Sequence, residues 1–263
     1  MYPNDLFLGL DLYDLFIVLG FLMALGYFRV FADRKNFSAA LQNLVIISAL
    51  SAIIGGYCSA VLFQAFYNFL EDGVFEIVQN TGATFYGGLI GGAVVFLIVY
   101  FLAGRLFLKR EKATARFWEL SEIAAGSIAW AHGFGRLGCL FAGCCHGSET
   151  DAWYGVYNAY LDRNTVPIQL FEAMFLFALA AFLTWHLIRN KRGNLVRYLI
   201  GYSIWRFAVE YFRSDDRGQS PLSFLSPSQF IALCLLFVGI GLLVVQHYLN
   251  RQADKGENCD ESA

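Results

Sequence analysis

Residues 132–147 read HGFGRLGCLFAGCCHG and contain one arginine, two histidines, three cysteines and five glycines. They stand at the end of an apolar segment, in a chain that is otherwise rich in apolar residues. A cationic side chain such as Arg136 is costly in or near a bilayer, so charged residues in such positions usually mark a functional site. The stretch therefore predicts a site of chemistry that includes a guanidinium group.

A second group of charged residues, Arg206, Glu210 and Arg213, lies in another apolar segment at positions i, i+4 and i+7. At about 100° per residue the three side chains share one face of a helix. An arginine and a glutamate in a membrane helix must pair or face water. They could form a structural ion pair that joins two helices. They could equally form a cationic wall for an anionic substrate, because the planar guanidinium group donates two parallel hydrogen bonds to a phosphate.

Glycines are concentrated in two segments. Gly133, Gly135 and Gly138 spell GxGxxG, but no strand precedes them, so the spacing does not indicate a dinucleotide site. Glycines near an arginine let backbone N–H groups approach a phosphate, and tight helix packing explains them equally well. In YGGLIGG, residues 86–92, the spacing of small residues favours helix packing.

The cysteines of the first stretch, Cys139, Cys144 and Cys145, allow three interpretations. With His132 and His146 they could bind a soft metal, but the spacing C-x4-C-C-H fits no standard zinc pattern, so we assign no metal ligand. On the outer side of a membrane Cys139 could form a disulfide with one of the adjacent pair. A thiol near a guanidinium group could instead be a nucleophile or a redox group. The sequence therefore predicts a disulfide or thiol site.

The whole chain has the composition of a membrane protein. Its 263 residues are 57% hydrophobic and 15% charged, whereas a soluble domain averages roughly 45–50% and about 25%. The net charge of −2 gives no indication of nucleic-acid binding. Seven apolar segments approach the length of about 20 residues that crosses a bilayer. They are residues 12–31, 41–63, 85–103, 117–134, 168–188, 198–212 and 229–249.

The basic residues predict how these segments are oriented. Alternate connections and the tail hold 14 of the 19 basic residues, which places them in the cytoplasm. The prediction is an all-α integral membrane protein with about seven transmembrane helices, an outside N-terminus and a cytoplasmic C-terminus. The acidic start lacks a cleavage site, so the first segment should remain as a span. Residues 1–250 form one membrane domain, and residues 251–263 form a short polar cytoplasmic tail that we expect to be disordered.

The longest external connection, residues 136–167, follows from the same orientation. It carries four aromatic residues of the kind that is enriched at membrane interfaces, and these suit an interfacial position better than a disordered linker. They are Trp153, Tyr154, Tyr157 and Tyr160.

Five segments in order carry a family resemblance. They are LDLYDLFIVLGF around Tyr13, FYGGLIGG at 85–92, GRLGCLFAGCCHG at 135–147, VPIQLFE at 166–172 and GYSIWRFAVEYFR at 201–213. Together they resemble the prolipoprotein diacylglyceryl transferases of the bacterial inner membrane. That family has a functional tyrosine near its start, then HGGLIG, G-R-x-G-N-F-x-N-G-E-x-x-G, H-P-(S/T)-Q-L-Y-E and R-F-x-x-E-x-x-R.

The resemblance implies transfer of the diacylglyceryl group of phosphatidylglycerol to the lipobox cysteine of a prolipoprotein signal peptide, at the outer leaflet and without a cofactor. It implies catalytic roles for Arg136, Arg206, Glu210 and Tyr86. It implies substrate binding by Tyr13, Arg136, Gly138, Gly147, Gln169 and Arg213.

The departures from the family pattern define a cysteine-bearing branch. Tyr86 replaces the family's histidine, Cys139 and Ala142 replace its two asparagines, and Cys144 replaces its glutamate. A tyrosine would need a much lowered pKa to act as the base. The base would then come from another nearby group: His132, His146 or a local thiolate. The alternative is a thiol-redox or metal-handling membrane protein that uses the three cysteines on the same scaffold.

Overall fold

Seven α-helices dominate the structure, a computed structural model that describes residues 9–73, 77, 85–108, 110–214 and 224–260. The described helices are α1 (Leu12–Arg34), α2 (Ala39–Asp72), α3 (Phe85–Phe107), α4 (Arg110–Ala142), α5 (Ile168–Ile188), α6 (Asn194–Val209) and α7 (Pro227–Asp260). A 3-10 turn, Glu210–Phe212, directly follows α6. Each predicted apolar segment coincides with one of these helices.

Six of the seven described helices extend beyond their predicted apolar segments at one end or both, because helix ends are set by caps and packing rather than by hydropathy. The Ser38 hydroxyl accepts a hydrogen bond from the Leu41 N–H at the start of α2. At its end, Gly73 adopts a φ of 73° and its N–H donates to the Phe69 carbonyl. At the end of α7, residues 251–260 continue the helix instead of forming the expected disordered tail. Extending an existing helix avoids the cost of nucleation.

Five of the described helices are long and apolar enough to cross a membrane, judged by length and composition: α1, α2, α3, α5 and α7. The other two predicted spans, α4 and α6, are also helical. Helix α4 contains Arg136 and several other charged residues, which lower its apolar content, and α6 has only 16 residues.

The chain divides into two compact units, residues 1–28 with 121–263, and residues 29–120. In the first unit, alanines of α4 form a core with leucines of α5 and with Tyr198 of α6. The carboxylate of Glu122 accepts the backbone N–H groups of Gly193 and Asn194, each at 2.6 Å. This buried acid caps the start of α6, where the unpaired N–H groups and the helix dipole favour a negative charge.

In the second unit, small residues allow α2 and α3 to pack closely. A Cβ atom built on Gly91 would lie 2.2 Å from the Ser59 Oγ, and one on Gly92 would lie 3.1 Å from the Ala52 carbonyl oxygen. Gly88 faces Ala60 in the same way. The prediction that YGGLIGG serves helix packing is confirmed.

The connection between α4 and α5 is ordered. It contains an antiparallel hairpin, β1 (Val156–Asn158) and β2 (Arg163–Thr165). The buried Asn158 amide donates to the Gly143 carbonyl at 3.0 Å, which fixes the hairpin to the end of α4. Trp153 is 95% exposed on this connection, and its aromatic neighbours are exposed as well.

Candidate active site

Helix α4 carries Arg136 and Cys139 within its last two turns. The sequence predicted that the helix ends at Phe134, and this is wrong, because α4 continues to Ala142. Glycine disfavours a helix by about 1 kcal/mol relative to alanine. Here the glycines allow close packing: a Cβ atom on Gly133 would lie 2.5 Å from the Phe177 ring. One on Gly138 would lie 3.2 Å from the ring of Tyr13. Packing therefore accounts for these glycines, and it also fixes the position of Tyr13.

Arg136 pairs with Glu172 of α5. The Arg136 Nε lies 3.2 Å from the Glu172 Oε2, with side chains that are 12% and 0% exposed. The other carboxylate oxygen accepts the Tyr202 hydroxyl at 2.8 Å. Glu172 was not among the site residues predicted from the sequence. Its position three residues after Gln169 was the available signal, because such residues share a helix face.

Arg206 and Arg213 share a second carboxylate. The Glu210 Oε2 lies 2.6 Å from the Arg206 Nη2 and 3.7 Å from the Arg213 Nε. Arg206 also donates to the Ser228 hydroxyl at 2.8 Å, and the Ser226 hydroxyl donates to Glu210 at 2.9 Å. Glu210 contacts both arginines, but the predicted shared helix face is wrong for Arg213, which is extended and follows the 3-10 turn. Ser226, just before α7, and Ser228 in its first turn provide two hydroxyls that the sequence did not indicate.

The two ion pairs belong to one electrostatic network. The buried Glu172 interacts with Arg136 and Arg206, and Arg206 interacts with Arg213. Among the described residues, the three guanidinium groups lie around the carboxylates of Glu172 and Glu210. The buried Arg206 Nη1 has no hydrogen-bond partner among the described residues. Such a group favours an anion that can accept hydrogen bonds.

His132 contacts the network indirectly, through the hydroxyl group of Tyr202. Its Nδ1 is 3.3 Å from the Tyr198 hydroxyl and its Nε2 is 3.5 Å from the Tyr202 hydroxyl. Because Tyr202 donates its proton to Glu172, its oxygen can accept from the His132 Nε2–H, and the Nδ1 of a neutral ring in that tautomer accepts from Tyr198. Both ring nitrogens are therefore engaged, which suits a residue that positions Tyr202 and Glu172.

Gly147 and Gln169 hold the loop that follows α4. The Gly147 N–H donates to the Val166 carbonyl at 2.9 Å, and a Cβ atom on Gly147 would lie 2.8 Å from the Phe212 carbonyl oxygen. Gly147 also forms a β-bridge with Arg213. The buried Gln169 amide donates to the Cys144 carbonyl at 2.5 Å. The side chain of Tyr86 lies outside the described part of the chain.

The three cysteines of the first stretch form a cluster in space. The sulfur atoms of Cys139, Cys144 and Cys145 all lie within 4.8 Å of one another, and no disulfide joins these three thiols. Gly143 and Cys145 have φ angles of 77° and 61°, which turn the chain back after α4. A left-handed conformation at a residue other than glycine costs about 1–3 kcal/mol and is often found at functional sites.

The electrostatics of this cluster are asymmetric. The pKa of the Cys145 thiol is lowered, because Cys139 and Cys144 hydrogen-bond to it and Arg213 adds a further hydrogen bond. The pKa of the Cys144 thiol is raised by its hydrogen bonds to Cys139 and Cys145. The cluster therefore contacts the arginine network at Arg213.

Comparison with known proteins identifies the family. The family described as prolipoprotein diacylglyceryl transferase matches residues 5–245. Phosphatidylglycerol–prolipoprotein diacylglyceryl transferase 2 of Clostridium perfringens is 33% identical, over 93% of this chain and 94% of its own. The phosphatidylglycerol–prolipoprotein diacylglyceryl transferase of Clostridium tetani is 29% identical, over 90% and 93% of the two chains. That of Legionella pneumophila strain Corby is 30% identical, over 88% and 90%. The chain, with its paired arginines and its cysteine cluster, belongs to the prolipoprotein diacylglyceryl transferase family.

Proposed function

We propose that this chain transfers the diacylglyceryl group of phosphatidylglycerol to the lipobox cysteine thiol of a prolipoprotein, at the outer leaflet of the bacterial inner membrane. Family membership and the names of the relatives support this reaction. The thiol sulfur forms a bond to the glycerol carbon, and the bond from that carbon to the phosphate oxygen breaks. Glycerol phosphate leaves with the bonding electron pair, and the thiol proton passes to a base or to solvent.

The arginine network is the observation that carries the proposal. Among the described residues, Arg136 pairs with Glu172, Arg206 pairs with Glu210, and the buried Arg206 Nη1 has no hydrogen-bond partner. A buried guanidinium N–H without a partner favours an anion that can accept a hydrogen bond. The phosphate of a phospholipid fits, because its tails need the bilayer and its oxygens accept the parallel hydrogen bonds of guanidinium groups. The same groups stabilise the charge that develops on the leaving phosphate.

The residues of the site would have separate roles in binding the lipid headgroup. Arg136 pairs with Glu172 through its Nε, so its terminal nitrogens are the groups proposed to bind the phosphate. Arg206 offers the buried Nη1, and Glu210 holds Arg206 in place. Gln169 has a buried Oε1 without a hydrogen-bond partner among the described residues, which would accept a hydroxyl of the lipid headgroup.

The remaining assigned residues would shape the site. Tyr13 and Gly138 pack against each other, and the absence of a side chain at Gly147 allows the backbone of Phe212 to approach closely, next to Arg213. Tyr86 replaces the histidine of the family and is proposed to take part in catalysis.

The reaction needs the site to face outward, and we propose seven spans with the N-terminus outside. The asymmetry of basic residues supports this orientation. Reporter fusions after Lys109 and after Arg192 should report the cytoplasm, and a fusion near Asp151 should report the exterior. The reverse pattern would contradict the proposed location of the reaction.

The decisive experiment combines the purified protein with labelled phosphatidylglycerol and a lipobox peptide, and measures the lipidated thioether. Arg136→Lys should reduce turnover at least a hundredfold, because charge is kept while bidentate geometry is lost. Arg163→Lys is the matched control, since Arg163 forms an exposed ion pair with Glu149 on the hairpin. It should retain wild-type turnover. Full activity in Arg136→Lys would exclude the phosphate role of Arg136, and no thioether from the wild type would contradict the function.

A further inference from the structure

The thiol cluster of Cys139, Cys144 and Cys145 has a geometry that suits one soft metal ion. A thiolate binds zinc at about 2.3 Å, so three sulfurs around one ion are about 4 Å apart. The three sulfurs here lie within 4.8 Å of one another. Small rotations of the side chains would bring them to bonding distance. Thiolates select soft ions such as Zn²⁺ or Cu⁺ over hard ions.

The backbone around the cluster is fixed by groups other than sulfur. The buried amides of Gln169 and Asn158 donate to the carbonyls of Cys144 and Gly143. Second-layer hydrogen bonds of this kind orient metal ligands in proteins. The loop is therefore held in place before an ion binds.

The positive charge of Arg213, next to the cluster, also suits a bound metal ion with three thiolate ligands. One divalent ion with three thiolates carries a single negative charge, and Arg213 hydrogen-bonds to Cys145. A guanidinium group at this position would offset that charge. Arg213 also belongs to the arginine network, so a bound metal would lie next to the proposed phosphate site.

We propose that Cys139, Cys144 and Cys145 bind one soft divalent metal ion and that its open coordination position binds the acceptor thiol of the lipoprotein. The second part of this inference rests on the proposed function. Three protein ligands and one open position are the arrangement of catalytic zinc sites. A thiol that coordinates such an ion is deprotonated, and its proton passes to solvent. The bound thiolate then attacks the glycerol carbon, and the phosphate leaves toward the arginines. The metal thereby supplies the activation that a histidine at position 86 would otherwise give.

The binding test uses reduced full-length protein in detergent and Cd²⁺ as the probe. A variant with Cys58→Ser, Cys234→Ser and Cys259→Ser keeps only the cluster cysteines. It should bind one equivalent of Cd²⁺ and show the ultraviolet charge-transfer band of a cadmium thiolate. Adding Cys139→Ser to it should weaken binding at least tenfold, while the helical circular dichroism stays unchanged.

Several results would overturn the site. The site would be excluded if the charge-transfer band is absent, or if the band persists after Cys139→Ser. It would also be excluded if Cd²⁺ does not change how fast a thiol reagent modifies the three cysteines. If Cys139→Ser fails to fold, this last measurement on the cluster-only variant still decides. A disulfide, seen as two missing thiols in protein purified without reductant, would also exclude the site.

The transfer assay separates this inference from the proposed function. Chelator-treated protein should lose thioether formation at least tenfold and regain it with Zn²⁺. Transfer that continues at full rate without metal would refute thiol activation and leave the transferase function standing. Metal binding without any transfer, under all conditions, would contradict the proposed function and leave the metal site standing.

Discussion

Glu172→Gln tests how much the buried ion pair contributes to the free energy of unfolding. Glu172 is 0% exposed, pairs with Arg136 and accepts the Tyr202 hydroxyl. The glutamine keeps nearly the same shape and removes the charge, so Arg136 remains buried without its carboxylate. Removing one partner of a buried pair costs about 3–5 kcal/mol in the free energy of unfolding.

A matched exposed pair provides the control. Glu149 pairs with Arg163 at 2.8 Å, with side chains that are 62% and 48% exposed. Surface pairs contribute about 1 kcal/mol or less. The two Glu→Gln variants should therefore differ by about 2–4 kcal/mol, which corresponds to roughly 4–16 °C in Tm for a chain of this size.

Thermal unfolding in one detergent, followed by circular dichroism, measures this difference. The double variant Arg136→Gln with Glu172→Gln should recover part of the lost stability, because it removes the uncompensated charge. Equal Tm values for Glu172→Gln and Glu149→Gln would refute the reasoning, since burial would then not decide the strength of the pair.

Two further substitutions test packing and capping by the same measurement. Glu122→Gln should lower stability by about 1.5–3 kcal/mol, because the buried carboxylate accepts two backbone N–H groups; the more exposed Glu119→Gln should change it by less than about 1 kcal/mol, and equal losses would contradict the capping role. Gly91→Ala should cost about 1–3 kcal/mol, because the new Cβ would lie 2.2 Å from the Ser59 Cβ, which side-chain rotation cannot move. Gly26→Ala meets nothing within 4 Å and should be neutral or stabilising; an equal loss would show that packing at Gly91 is not tight.

The sequence by itself determined the approximate positions of the described helices. Hydropathy over about 20 residues is a local property, and it identified a segment for each described helix. The pairing of Glu210 with Arg206 was also predictable, because positions i and i+4 share a helix face. Arg213 contacts Glu210 from an extended residue beyond the helix, which the spacing did not indicate.

The sequence did not determine which distant residues meet. Glu172 pairs with Arg136 only because α4 and α5 lie side by side, and no local pattern specifies that contact. The end of α4 was misplaced for a similar reason. The helical cost of its glycines is visible in the sequence, whereas the compensating contacts with Phe177 and Tyr13 come from other helices.

The cysteine cluster was decided by tertiary structure alone. The spacing of Cys139, Cys144 and Cys145 matches no standard metal motif, which is why the sequence assigned no metal ligand. Two left-handed residues, Gly143 and Cys145, turn the chain back and bring the three sulfurs within 4.8 Å. Backbone angles of this kind are imposed by the surrounding hydrogen bonds of the folded chain, which residue types and spacing do not reveal.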